Sequence, residues 1–420
     1  MDKRVGIYIH IPFCASKCAY CNFYSLANGD RWMADFQSAI LRHIKEYSPQ
    51  LDGYLIDTVY FGGGTPSHYG TGRLISIFNA LKKHGHVLLN AEVTAEVNPG
   101  SITKDDLIRL RRAGFNRLSI GVQSASDTTL KKLDRQHTFQ DAEDTVTNAR
   151  LAGFTNISID IIYGLPSQDK DNWAETITRV AALKPEHISC YGLKIEEGTP
   201  LYILKDSPFI PDDDKQADMY LFAVEMLSRF GYRQYEISNF ARRGYESKHN
   251  LKYWLGHEYI GFGPAAHSYI GQCRYSFVDD LEKYIECVAS DQQTIVEYSE
   301  EMSDFEKAGE YLMLRLRTVH GISEKEYYDI YKLKMDLVLD LLRKYEDSGW
   351  AVFKDGRWRF TPKGFLLSNT LIGDLLEAQT QQRTQVSKPW QSQTSAEDSQ
   401  ITLFEKRTVS SGLFGGKYNH

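Results

Sequence analysis

The sequence predicts an α/β protein: a partial barrel of six strand–helix units, followed by a mostly helical domain with a winged-helix pattern. Three observations carry this expectation. Apolar, β-branched-rich runs alternate with amphipathic stretches between residues 5 and 196, which is the signature of a parallel sheet with helices outside it. Glycine closes several of the helical stretches. Between residues 302 and 368, three helical patterns precede a hairpin pattern. A chain of 420 residues is also long for a single core, so a second, smaller domain is expected.

The strands are expected at Val5–Phe13, Asp57–Gly62, Val93–Val97, Arg117–Gln123, Asn156–Tyr163 and His187–Leu193. Trp32–Tyr47, Thr103–Ala113, Gln140–Ala152 and Asn172–Leu183 read as helices, with Gly114 and Gly153 as C-terminal caps. Two further units would close an eight-fold barrel, and the sequence offers no clear candidates, so the barrel is expected to be open. Residues 1–210 form this barrel. Residues 211–300 read as a helix-and-loop extension rich in aromatics. Residues 301–378 form the winged-helix-like domain, with helices at Glu306–Leu316, Glu324–Tyr331 and Met335–Ser348 and a hairpin of Trp350–Lys354 with Arg357–Thr361. Acids are interspersed with the bases of Met335–Ser348, which suits packing better than reading phosphates. Residues 379–420, rich in Gln, Ser and Thr, read as a disordered tail in which Leu413-Phe414 is the one candidate docking element.

Composition excludes several classes. Forty-nine basic and 55 acidic residues leave a formal charge of -6, the wrong sign for a protein that coats nucleic acid. No apolar run approaches the roughly 18 residues of a membrane span. Met1–Pro12 lacks a small-residue cleavage pattern, so no signal peptide is expected and the protein is placed in the cytoplasm. Disulfides are then unexpected, and clustered cysteines indicate metal or redox chemistry.

Such a cluster exists. Of six cysteines, Cys14, Cys18 and Cys21 stand in Y-I-H-I-P-F-C-A-S-K-C-A-Y-C, spaced C-x3-C-x2-C. Structural zinc takes four ligands, usually as two separated pairs, and there is no second pair. A disulfide would leave an odd thiol. A cubane 4Fe-4S cluster usually takes four cysteines, so three in one loop leave one iron open to chemistry. His10 precedes the loop within a strand and reads as a packed neighbour. Other unusual residues fall at the C-terminal ends of the expected strands, where ligands bind in such folds: Gly62-Gly63-Gly64-Thr65-Pro66, Glu96, Gln123, and Asp160 ahead of Tyr163-Gly164-Leu165-Pro166.

The cysteine spacing, with Tyr20 before the last cysteine, resembles the signature of the radical S-adenosylmethionine superfamily. That resemblance implies a 4Fe-4S cluster on Cys14, Cys18 and Cys21, with the open iron chelated by S-adenosylmethionine. Tyr8-x-His10-Ile11-Pro12-Phe13-Cys14 narrows it, over residues 5 to about 370, to the branch holding the oxygen-independent coproporphyrinogen III oxidases and the HemW-type heme chaperones. Tyr8, Tyr20, Gly63, Gly64, Thr65, Glu96, Gln123, Arg135 and Asp160 match cofactor-binding positions of that branch.

Oxidase and chaperone are distinguishable by resemblance. The oxidases carry a further cysteine two residues after the third, where this chain has Phe23, and a longer segment before the first. His249-Asn250-Leu251-Lys252-Tyr253-Trp254 matches the H-N-x-x-Y-W motif of the chaperones, linked there to heme. Imidazole is a good axial ligand, and Tyr253 and Trp254 offer flat apolar surface; His267 is a second candidate ligand. The resemblance therefore implies a heme chaperone that passes heme to an acceptor hemoprotein, expected to be respiratory and membrane-associated, and that forms a homodimer. It implies no coproporphyrinogen oxidase activity, although that activity and cleavage of heme itself are the competing readings.

Overall fold

The computed structural model describes residues 3–290 and 295–386. Six parallel strands follow the expected order: β1 (Lys3–Ile11), β2 (Tyr54–Gly63), β3 (His86–Val97), β4 (Arg117–Gln123), β5 (Ile157–Tyr163) and β6 (His187–Gly192). Each pairs in parallel with the next, with register shifts at Val5/Gly6, Ile56/Thr58 and Gly121/Gln123. The sheet then extends at both edges through β7 (Arg233–Gln234), β8 (Asn239–Ala241), β9 (Tyr259–Phe262), β10 (His267–Ile270), β11 (Cys273–Phe277) and β12 (Val296–Glu301). Among the described residues the twelve strands lie in the order β12-β11-β10-β9-β1-β2-β3-β4-β5-β6-β8-β7.

β9 corrects the reading of residues 211–300 as helix and loop. It runs parallel to β1, pairing Gly6 with Tyr259 and Ile9 with Phe262, and so acts as a seventh parallel strand. Four residues, one of them Gly261, are too few for the alternation to be recognised in sequence. A meander of β10, β11 and β12 follows it, each strand antiparallel to the last.

The inner strands are buried on both faces, but the faces differ. Ile7, Ile9, Val59, Phe61, Ala95, Ile120, Ile159 and Ile188 belong to the large apolar core under the helices. The alternate positions carry Tyr8, His10, Thr58, Tyr60, Glu92, Thr94, Glu96, Arg117, Ser119, Ser158, Asp160, His187 and Ser189. Since successive side chains of a strand point to opposite faces, the concave side of the barrel is polar.

The helices are capped from sequence. Thr103 accepts a hydrogen bond from the Asp106 N–H, and Thr138 forms a capping box with Asp141. Gly114 ends its helix in the left-handed conformation. The C-terminal domain has its own core of Leu312, Tyr327, Val338, Leu342, Trp358 and Phe365, built on helices Asp304–Arg315, Glu324–Tyr331 and Asp336–Asp347 and a hairpin, Ala351–Lys354 with Arg357–Phe360. Helix Ser368–Val386 continues past residue 379, where the sequence reading starts the tail. Its Leu371, Ile372, Leu375 and Ala378 pack into this core, an apolar face that the surrounding Gln and Thr residues obscure. The rest of the tail, with Leu413 and Phe414, lies outside the described residues.

Candidate functional site

The cysteine loop leaves the C-terminal end of β1. Cys14 is buried, and Cys18 and Cys21 are partly exposed; all six cysteines are free thiols. The loop is fixed by hydrogen bonds from several sides. Thr65 donates through Oγ1 to Cys14 Sγ at 3.4 Å, and Arg135 Nη1 donates to Cys18 Sγ at 3.4 Å. The Ala19 N–H donates to the Leu133 carbonyl, and the Ala19 carbonyl accepts from Leu201. His10 Nε2 lies 2.9 Å from the Tyr24 carbonyl. Tyr20 packs with Ala19, Leu133, Leu165 and Leu201.

Burial pushes the Cys14 and Cys21 thiols up, and binding a metal must displace their protons. Among the described residues, no three His, Cys, Asp or Glu side chains close on a point as a single metal ion requires. A cubane differs, since each cysteine sulfur meets a different iron. Three free thiols in one held loop, with a guanidinium on one sulfur, fit that group.

Residues of four neighbouring strands and their loops converge beside the cysteines. Gly63 has φ +110°, and a Cβ there would stand 2.6 Å from the His10 ring, so only glycine fits. The next two N–H groups, of Gly64 and Thr65, donate to Ile11 and Phe13 at 2.7 Å, tying this segment to the strand that leads into Cys14. Glu96 accepts from the Tyr60 hydroxyl at 2.8 Å, and burial raises its carboxyl to about 7 despite that bond. Gln123 lies at a bulge with φ +67°, a strained setting that turns its side chain back over Gly121 and towards Arg135. Arg135 bonds Asn98 Oδ1 at 2.8 Å and the Gly121 carbonyl at 2.6 Å. A cavity of about 300 Å³ opens here, lined by Cys18, Thr65, Asn98, Arg135 and His137 among others.

Asp160 lies deeper, accepting from Ser119 at 3.2 Å and Ser158 at 3.4 Å; burial raises its carboxyl. Beside it is Arg117, which is 1% exposed. Burial disfavours the guanidinium charge, but Glu92 and after it Asp160 hold it. Sequence reading missed Tyr60, Arg117 and the serines. The period-two alternation of polar with apolar residues in β2 to β6 is the signal that would have found them.

The H-N-x-x-Y-W segment does not join the cysteines. Helix Lys248–Trp254 sits at the N-terminal end of the strands. Its Lys248 and His249 N–H groups donate to the Glu92 carboxylate at 3.2 and 3.1 Å, which suits a helix N-terminus, and Lys252 pairs with Asp57 at 2.8 Å. Gly6 admits the helix, since a Cβ there would meet the Lys252 side chain at 2.8 Å. His249 is 1% exposed. Its Nδ1 lies 2.8 Å from Thr58 Oγ1 and its Nε2 2.8 Å from the Tyr253 hydroxyl, so both ring nitrogens are engaged inside the protein. Tyr253 packs edge-on against His249 and Tyr259, and Trp254, ending the helix, is partly exposed. His267, in β10, is also partly exposed.

The profile of the Radical SAM superfamily matches residues 8–180, and that of the HemN C-terminal domain matches 303–367. A heme chaperone HemW of Bacillus subtilis is 33% identical over 375 residues, covering 88% of this chain and 98% of that protein. The chain belongs to the HemW family. The HemW of Mycobacterium tuberculosis is 32% identical over 88% of this chain and 94% of its own length, and that of Escherichia coli 31% over 88% and 97%. Coproporphyrinogen III oxidase of Escherichia coli shares the fold, with a TM-score of 0.79, 23% identity, and 90% and 91% of the two chains covered.

The α/β barrel and the helical C-terminal domain of this HemW-family chain are the fold it shares with that oxidase. The chain carries the three-cysteine loop and has Phe23, 47% exposed, two residues after Cys21. No described helix is long and apolar enough to cross a membrane.

Proposed function

We propose that this chain is a heme chaperone that carries a 4Fe-4S cluster on Cys14, Cys18 and Cys21 and binds S-adenosylmethionine beside it. The observation that carries the reading is the match to HemW heme chaperones over 88% of this chain, together with three free thiols in one loop, of which Cys18 lines the cavity with Thr65, Asn98 and Arg135. Tyr8, Tyr20, Gly63, Gly64, Thr65, Glu96, Gln123, Arg135 and Asp160 serve the cofactor end. Gly63 and Gly64 bring backbone close to the ligand, and Glu96 is the acceptor for its hydroxyl groups. The bound cluster and cofactor supply redox chemistry there, while the protein orients them and limits access.

Heme is held at the helix Lys248–Trp254, with Trp254 as its contact surface. His249 anchors that helix, because both ring nitrogens are already bonded; ligation of iron by His249 would require Tyr253 or Thr58 to let go. The cargo passes to an acceptor hemoprotein, a respiratory and membrane-associated one by family resemblance, from a cytoplasmic homodimer.

The test is a heme titration of anaerobically reconstituted protein, with Cys18→Ser alongside. One heme per chain, saturable in both proteins, is expected, because the cysteine loop and the helix lie at opposite ends of the strands. Absence of saturable heme binding overturns the proposal, and loss of heme together with the cluster overturns the separation of the two sites.

A further inference from the structure

The two ends of the barrel are joined by a continuous stack of side chains. Tyr60 donates its hydroxyl proton to Glu96 at 2.8 Å, and its ring lies against His249 with centroids 5.2 Å apart and planes 22° from parallel. Tyr8 stacks on both, at 6.2 Å from Tyr60 and 6.5 Å from His249. The Tyr8 hydroxyl is 3.2 Å from His10 Nδ1, and His10 reaches the Tyr24 carbonyl, three residues past Cys21. Below the stack, His249 meets Thr58, Tyr253 and Glu92.

The path has two upper branches. One ends on Glu96 and the other on the cysteine loop, and both converge on His249. From Thr58, beside His249, to Gly62, paired with His10, it spans four residue steps of β2, roughly 13 Å at the usual strand rise. Tyr8 is 5%, Tyr60 8% and His249 1% exposed. Rings packed this closely do not move independently, since interiors have the density of organic crystals.

We infer that Tyr8 and Tyr60 transmit occupancy of the cofactor end to helix Lys248–Trp254, tightening the helix when S-adenosylmethionine is bound. Tyr60 is a positioning residue, acting on the helix through His249, and Tyr8 joins the cofactor end, which it also serves, to the same histidine. The inference rests on the cofactor site proposed above and adds a regulation to it. Coupling of this kind is reciprocal: a cargo that holds the helix strengthens cofactor binding by the same factor. The test separates the link from the sites it connects.

Hydrogen–deuterium exchange of the anaerobically reconstituted holoprotein, with and without S-adenosylmethionine and with no heme present, makes that separation. In the wild type, the cofactor is expected to slow exchange at residues 62–65 and, by about fivefold or more, in Lys248–Trp254. Tyr60→Phe keeps the ring stack and removes the donor to Glu96. It is expected to retain the protection at 62–65 and lose most of that in the helix. Tyr8→Phe, which cuts the branch to His10, is expected at saturating S-adenosylmethionine to retain the protection at 62–65 and to reduce the helix response in part. Protection at 62–65 with none in the wild-type helix overturns the coupling and leaves the cofactor site standing. An undiminished helix response in both variants overturns the assignment to these tyrosines. No protection in either segment overturns the coupling and the cofactor site together.

Discussion

Arg135 donates a hydrogen bond from its guanidinium to the sulfur of Cys18 at 3.4 Å. The same side chain holds Asn98 and the Gly121 carbonyl, so one residue ties the cysteine loop to the ends of β3 and β4. A cationic donor on a cluster sulfur stabilises the more negative, reduced state. Arg135→Met is therefore expected to assemble the cluster, since all three cysteines remain, with a more negative reduction potential. A redox titration followed by electron paramagnetic resonance checks this; an unchanged potential contradicts a role for Arg135 at the sulfur.

His249 makes its contacts within the protein, so its removal acts first on stability. His249→Ala leaves a cavity beside Tyr60 and orphans Thr58 and Tyr253, a loss of about 2–4 kcal/mol. Urea denaturation is expected to show that loss while heme binding survives. Trp254→Ala is expected to weaken heme binding and leave stability nearly unchanged. Loss of the heme spectrum in His249→Ala with stability intact would make His249 the iron ligand instead.

Glu236 is fully buried, and burial raises its carboxyl to about 7 from 4.5. The unfolded chain then sheds this proton near pH 4.5, whereas the folded protein keeps it to about pH 7. Between those values the unfolded state binds fewer protons, so stability falls as pH rises, by up to about 3 kcal/mol. Glu236→Gln lacks that slope. Glu96 shares the same direction and window, but it is present in both proteins and cancels from the difference. The variant is expected to gain on the wild type from pH 4.5 to pH 7 in paired urea titrations; a constant difference contradicts the shifted carboxyl.

Arg117 balances Glu92 and Asp160 within the barrel. Arg117→Met leaves buried carboxylates without their cation and is expected to cost about 3–5 kcal/mol. Adding Glu92→Gln is expected to recover part of the loss, which a double-mutant cycle in urea would show. Simple additivity contradicts the pairing.

Much of this was legible in the amino-acid sequence, for identifiable reasons. The six strands are marked by β-branched runs between capped helices, and the C-x3-C-x2-C loop is local, so its spacing survives without knowledge of the fold. β9 is four residues long and paired to β1 across some 250 residues of chain, and pairing over that separation leaves no local trace. The polar barrel interior is written in the alternation of Glu92, Thr94 and Glu96 with Val93, Ala95 and Val97, but partners such as Tyr60 with Glu96 emerge only from strand register. The motif around His249 is plain in sequence, yet its place at the far end of the strands from the cysteines follows from Glu92, Asp57 and Gly6, which no motif includes.

The central claim is cargo handling without porphyrinogen oxidation. The measurement that tests it most directly supplies coproporphyrinogen III, S-adenosylmethionine and reductant to the anaerobically reconstituted protein and assays protoporphyrinogen by chromatography. Heme absorbance is followed in a parallel sample of the same preparation. Stable binding of one heme per chain with no decarboxylated product is the expected result. Decarboxylated product at a catalytic rate would contradict the account and show that Phe23 is compatible with oxidase chemistry.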